Sequence, residues 1–240
     1  MKKIPIGISS CLLGYNVRYD GGHKRDTYII GTLGRYFDFQ PFCPEVEIGL
    51  SIPRTPIHLV KKNNEVRCVD TKSPEKDLTD SLRSYARQLK QTYQNLCGYI
   101  LKNGSPSSGM EKVKIHENNS PCREGIGIYA EEMMRINPFL PVEEEGRLGG
   151  LLLRENFIRR VYVLYSWKKI LSAVLSLNNL IQFHAQNRMI IRSHGDYREL
   201  EQMLVTIDQD DIEKIAARYI LQFMTILKMN NLTHSQLVNW

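Results

Sequence analysis

Ile4-Pro5-Ile6-Gly7-Ile8, running directly into Ser9-Ser10-Cys11-Leu12-Leu13-Gly14, is the stretch on which the fold of the first half of this chain turns. A short apolar run closed by small polar residues and a glycine reads as a buried strand followed by a tight loop. The same pattern returns twice. Phe37-Asp38-Phe39-Gln40-Pro41-Phe42 alternates like a strand and leads into Cys43-Pro44-Glu45-Val46-Glu47. Cys97-Gly98-Tyr99-Ile100-Leu101-Lys102 leads into Asn103-Gly104-Ser105-Pro106-Ser107-Ser108-Gly109-Met110. Helical spacing lies between the strands, first over Tyr28 to Tyr36. It returns more clearly from Pro74 to Leu96, where Leu78, Leu82, Tyr85, Ala86, Leu89, Tyr93 and Leu96 recur at three- and four-residue steps behind Ser73 as N-cap. Ile57-His58-Leu59-Val60 and Glu65-Val66-Arg67-Cys68-Val69 flank a polar turn and predict a hairpin. A further helix over Ile128 to Ile136 stops at Asn137-Pro138. Strands alternating with helices predict a three-layer α/β domain on a parallel sheet. In such a sheet the loops at the carboxyl ends of the strands converge on the binding crevice, which would bring Cys11 and Cys43 near the serines of the third loop.

Pro138 to Gly150, with two prolines, the run Glu143-Glu144-Glu145 and Gly149-Gly150, reads as a linker with a solvated acidic face. The expected division is therefore an α/β domain over residues 1–148 and an all-α helical domain over 149–240. Helices are expected over Arg154–Val174, Leu177–Ser193, Tyr197–Ile207 and Ile212–Met229.

An apolar fraction of 42% supports a packed core, and a charged fraction of 24% is ordinary for a soluble protein. No apolar run approaches the roughly 20 residues of a membrane span. Met1-Lys2-Lys3 precedes too short an apolar stretch for a signal peptide, so the expected location is cytoplasmic. The net charge of +6 permits a polyanionic partner such as RNA without requiring one. Arg159, Arg160, Lys168, Lys169, Arg188, Arg192 and Arg198 are the cations of the helical half that would meet phosphates. Five widely spaced cysteines, with no Cys-x-x-Cys pair, argue against both a disulfide framework and a zinc ribbon. What remains is buried thiols, or ligands that the fold brings together. Cys68, in an alternating strand, and Cys97, behind an apolar helix, read as core. Asp20-Gly21-Gly22 is explained by turn chemistry alone. His184 and His194 are not at one-turn spacing and read as structural histidines.

Taken together, Ser-Ser-Cys-Leu-Leu-Gly from Ser9, Arg18-Tyr19-Asp20-Gly21-Gly22-His23-Lys24, Cys-Pro-Glu-Val-Glu-Ile-Gly from Cys43, Gly-Tyr-Ile-Leu-Lys from Gly98 and Ser-Pro-Ser-x-Gly-Met from Ser105 resemble the thiouracil desulfidases over roughly Ile4 to Leu148. Beyond Arg154, Glu155-Asn156-Phe157, Trp167, Phe183-His184, Arg188, His194 and Tyr197 resemble the helical domain of longer members, which act as tRNA 4-thiouridine desulfidases and continue past the position of Trp240. The resemblance implies hydrolytic loss of sulfur from thiolated uracil, either free or in tRNA, on a [4Fe–4S] cluster held by three cysteines with one iron left open. Carried over by motif, Cys11 and Cys43 would be two metal and cofactor ligands. Glu45 would be the general base or acid, and Ser105 would hydrogen-bond substrate or water. The polar loop from Arg18 to Lys24 would line the substrate pocket.

The chain departs from the pattern where the family's third cysteine is replaced by Ser108. A hydroxyl is a harder and far less acidic ligand than a thiol. Three readings stay open: a weakened cluster on Ser108, a relative that binds thiolated base or tRNA without turnover, or a third thiolate from Cys122. A mononuclear metal hydrolase using Cys11, Cys43 and Glu45 is a further alternative.

Overall fold

The computed structural model describes residues 2–117, 120–172, 175–192, 197–205 and 212–237, with side chains throughout except at 121–123, 192, 197 and 229–237. The chain divides into two units, Met1–Gly149 and Gly150–Trp240.

The first unit is built on a sheet of four parallel strands. They are β1 (Ile4–Ser9), β2 (Phe37–Phe42), β5 (Tyr99–Leu101) and β8 (Val142–Glu144), in the order β2-β1-β5-β8. Ile4 aligns with Phe37, Gly7 with Tyr99, and Tyr99 with Val142. Buried on both faces, parallel strands need continuous apolar runs, and β1 supplies one with Ile4, Ile6 and Ile8 all buried. Gly7 is required by close packing, because a Cβ there would lie against the Tyr99 ring, 2.6 Å from its Cε2, and 2.9 Å from Leu96 Cδ1. A second, mixed sheet has the order β4-β3-β6-β7, from β3 (Ile57–Lys62), β4 (Glu65–Asp70), β6 (Val113–Glu117) and β7 (Ser120–Gly125). The expected hairpin is β3 and β4. Its turn is only Asn63-Asn64, at φ +50° and +65°, the left-handed pair that matches strand twist.

Cys68 and Cys97 are buried core residues, as read from their strands. The long helix expected from Pro74 to Leu96 is instead two, α3 (Thr79–Gln88) and α4 (Lys90–Asn95). Residues before α3 are drawn to β4: Asp77 bridges Val69, and the Thr79 hydroxyl accepts the Cys68 amide at 2.8 Å. Helix α5 (Ile128–Ile136) pairs with α3 through Arg87–Glu132 at 2.6 Å and the Tyr85–Tyr129 stack.

The expected linker is the largest correction. Glu143 and Glu144 are buried in β8, at 1% and 0% exposure, and Glu145 follows directly. Glu144 and Glu145 have partners far away in sequence, and Glu143 has one four residues on. Arg147 bonds Glu143 at 2.6 Å. Glu144 accepts the Met110 amide at 2.6 Å and the Asn103 side-chain amide at 2.7 Å. Glu145 accepts the Asn103 backbone amide at 2.7 Å and pairs with Lys102. Buried carboxylates persist when paired and hydrogen-bonded in this way. The acidic strand therefore clamps the loop that follows β5.

The second unit is helical: α6 (Leu151–Leu171), α7 (Leu177–Arg192), α8 (Tyr197–Val205) and α9 (Ile212–Leu237). Its core holds Phe157, Trp167, Phe183, Tyr219 and Phe223, with Trp167 edge-on to Phe183 at 5.1 Å. Arg160 is buried and bonds Asn156 at 2.8 Å, so it belongs to this core and not to a phosphate-facing surface. The expectation for His194 lies outside the described residues. Among the described residues no helix is long and apolar enough to cross a membrane.

His184 is buried between α7, α8 and α9, with Nδ1 2.9 Å from the Tyr219 hydroxyl and Nε2 3.8 Å from Glu201. Burial pulls its pKa below the ordinary 6.5; Glu201 raises it and Arg188 lowers it. The unfolded chain therefore takes the proton first. The helical unit should hold its full stability above about pH 6.5 and lose part of it as pH falls toward the lowered folded value. Both tryptophans, Trp167 and Trp240, lie in this unit, so tryptophan-detected unfolding reads it directly. The denaturation midpoint should fall between about pH 7 and pH 5.5, and His184→Gln should reduce that fall. A midpoint whose fall is the same in the variant would remove His184 from the effect.

Candidate active site

The parallel order β2-β1-β5 places the three strand-end loops side by side. After β1 the chain enters a 3-10 turn, Ser10–Leu13, closed by Gly14 at φ +99°, and the Lys24 amide bonds the Cys11 carbonyl at 2.9 Å. After β2, Cys43 caps the short helix α2 (Pro44–Glu47). After β5 the turn from Ser105 to Gly109 is fixed by the start of α5. The Ile128 amide bonds the Pro106 carbonyl at 3.1 Å, and the Ala130 amide bonds the Ser107 carbonyl at 3.1 Å. Gly127 makes this approach possible, since a Cβ there would lie 2.6 Å from the Ser107 carbonyl carbon and 2.7 Å from the Ser108 nitrogen. Gly127→Ala should destabilise the first unit by about 1–3 kcal/mol, the usual cost of overpacking. A denaturant midpoint equal to that of the unmodified chain would show that the turn yields freely.

Cys11, Cys43, Glu45, Ser105 and Ser108 all line one cavity of about 220 Å³. From the polar loop after Cys11, Arg18 and Tyr19 also line it. Asp20 instead caps its own turn by accepting the Gly22 amide at 3.0 Å, as turn chemistry predicts. Cys122 lies in β7, on the second sheet, and its side chain is outside the described residues.

Burial pushes the Cys11 thiol up to about 11, with Lys102 and Arg18 pulling it down and Cys43 adding to the rise. Burial raises the Cys43 thiol too, against the Val46 amide and Arg54. Two thiols that resist ionisation alone, beside three cations, suit an electrophilic metal group that would take both as thiolates.

Glu45 is held on both oxygens. Arg54 donates to Oε2 through Nη2 at 2.7 Å and Nε at 3.1 Å, and the Ser107 hydroxyl donates to Oε1 at 2.8 Å. The Arg54 side chain is 6% exposed and also bonds the Val17 carbonyl at 2.9 Å and the Ser51 carbonyl at 3.2 Å. The hydroxyls continue the chain, with Ser107 3.0 Å from Ser105 and 3.3 Å from Ser108. Arg54 and Ser107 were not singled out from the sequence. Ser107 stood inside a quoted motif; Arg54 lies in an irregular loop with no pattern to mark it.

The family model of 2-thiouracil desulfurase matches residues 6–145. This chain belongs to the 2-thiouracil desulfurase family. The matched span contains every residue named around the cavity. No curated protein matches the chain. Among solved structures, the [4Fe-4S]-dependent thiouracil desulfidase TudS is similar at 29% identity, covering 64% of this chain and 97% of its own, with a TM-score of 0.46.

An iron–sulfur cluster of the kind expected for a thiouracil desulfidase would need its ligands from the side chains lining this cavity. Among the described residues no three His, Cys, Asp or Glu side chains stand together as a metal-holding group. The cavity does bring together two cysteine thiols and the Ser108 hydroxyl. By donor chemistry, this set would offer an iron–sulfur group thiolate at two positions and a harder oxygen at the third.

Proposed function

We propose that the first unit is a desulfidase that converts thiolated uracil to uracil and sulfide, using an iron–sulfur cluster held by Cys11 and Cys43, with Ser108 at the third position. Its natural substrate is 4-thiouridine in tRNA, with the helical unit engaging the RNA. The observation that carries the reading is the convergence of both thiols, Glu45 and Ser105 on one cavity within the family span.

The bound cluster would supply a thiophilic Lewis acid for the thiocarbonyl sulfur. The rest is work for the side chains. Glu45 takes the proton from the water that attacks the ring carbon. Arg54 and Ser107 fix the carboxylate in one orientation, so little reorganisation is needed when the proton arrives. Ser105 hydrogen-bonds substrate or water at the cavity wall. Arg18 and Tyr19 cover the cavity from the loop after Cys11.

One observation favours a second reading, a relative that binds thiolated base or tRNA without turnover. The Ser108 hydroxyl is drawn into the serine chain, 3.3 Å from Ser107. Anaerobic incubation of the iron- and sulfide-reconstituted chain with 4-thiouracil and with 4-thiouridine-containing tRNA separates the two. Loss of thiocarbonyl absorbance with stoichiometric sulfide supports the enzyme. Saturable binding with no sulfide supports the binding protein.

A further inference from the structure

The second sheet carries two histidines that the cavity does not use. Leu59 of β3 aligns with Ile115 of β6 and both are buried, so the alternate residues His58, Val60 and His116 lie on the other face, where both histidines are half-buried. Val60 aligns with His116, which sets His58 and His116 on a diagonal between neighbouring strands. Their ring centroids are 5.3 Å apart, at an interplanar angle of 36°. Among the described residues no hydrogen bond or ion pair engages either imidazole.

Two imidazoles bound to one tetrahedral ion, each through a metal–nitrogen bond of about 2.0–2.1 Å, have ring centres about 5 Å apart. The pair already stands at that separation. Burial and His116 hold the pKa of His58 below the ordinary 6.5, against Asp70, so His58 presents a lone pair at neutral pH. The nearby charges are largely settled. Lys61 pairs with Glu117 at 3.6 Å, and Arg67 pairs with Asp77 and Asp80 at 2.7 and 3.0 Å. Asp70 bonds the Lys72 and Ser73 amides at 2.8 and 3.2 Å, and Lys62 and Lys114 are exposed to solvent. Neutral imidazole is a ligand for zinc, nickel and copper, and a poor one for calcium or magnesium.

We propose that His58 and His116 form a site for a divalent zinc ion that joins β3 to β6, with water completing its coordination. The site is separate from the cysteine cavity and does not depend on the desulfidase reading. Both strands lead away from that cavity. Ile57, the first residue of β3, lines it, and Val113, the first of β6, packs over Gly109 in the turn that carries Ser105 and Ser108. An ion across the two strands braces the cavity wall from outside.

Zinc binding is measured by calorimetry on the full chain and on a Cys11→Ser/Cys43→Ser variant, which removes the competing thiols of the cavity. His58→Gln and His116→Gln are then made singly in each, with circular dichroism confirming the fold. The cysteine variant should bind one zinc ion per chain. Its X-ray absorption spectrum should fit nitrogen and oxygen at about 2.0–2.1 Å with no sulfur at about 2.3 Å. Either histidine substitution should weaken this binding at least about tenfold, since disturbing a group that merely supports a ligand already costs about 10–100-fold. Both positions are half-exposed on the outer face of a sheet, and one folded variant is enough for the comparison. The site is overturned by zinc that binds equally well without the histidines, by zinc that binds only where Cys11 and Cys43 are intact, by sulfur in the spectrum, or by the absence of zinc binding.

Discussion

Ser108→Cys is expected to raise the iron and acid-labile sulfide retained after anaerobic reconstitution to that of a complete cluster, while the unmodified chain retains a lower and more easily chelated load. Ser108 lies at 4% exposure in the wall that also carries Cys11 and Cys43, so a thiol there needs no change of backbone. Its amide is held by the Ser105 hydroxyl at 3.2 Å, and the turn is locked beneath by Gly127. Changes that only touch the surroundings of a metal ligand cost about 10–100-fold in affinity, and replacing thiolate by hydroxyl at a ligand position should cost at least as much. Chelator challenge is the cleanest readout, because it compares retention and not yield. Equal retention by the two chains would mean that Ser108 coordinates as well as cysteine or that Cys122 supplies the missing thiolate, and Cys122→Ala would then distinguish these.

In the Ser108→Cys background, Glu45→Gln should lower kcat for 4-thiouracil by about 10²–10⁴, the usual range for loss of a general base. The amide preserves the shape of the side chain and leaves an oxygen for Arg54 or Ser107, but it cannot take the proton. Arg54 keeps its bonds to the Val17 and Ser51 carbonyls, which limits structural damage. Iron and sulfide content should not change, which separates a chemical defect from a lost cluster. A kcat within about threefold of the parent would remove Glu45 from proton transfer.

The legible parts of this molecule were those with local causes. β1 announced itself because a strand buried on both faces must be apolar throughout, and the turn after it needs glycine at Gly14. The convergence of Cys11 and Cys43 followed from the parallel order alone. The acidic run misled because three consecutive glutamates resemble a solvated linker, whereas Lys102 and the amides of Asn103 and Met110 are brought to Glu144 and Glu145 by the tertiary fold, and Arg147 pairs with Glu143 from four residues on. The long amphipathic pattern before Cys97 misled for a related reason. Its apolar spacing continues through Leu89, where ψ of 5° ends one helix and starts another, and its first residues are captured by β4. Arg54 left no trace, since a lone arginine in a proline-flanked loop has no pattern until the fold brings Glu45 to it.

The central sheet joins strands distant along the chain: β1 lies between β2 and β5, and β5 between β1 and β8. Pairings of such long sequence separation give a high contact order, and their loop-closure entropy must be met before the contacts form, so folding of this unit is slow for its size. Cys11 and Cys43 share a wall with the loop after β5 only once β1 has paired on both sides. The nascent chain therefore has no assembled pocket to offer, and any group bound there would stabilise the closed sheet over the open chain.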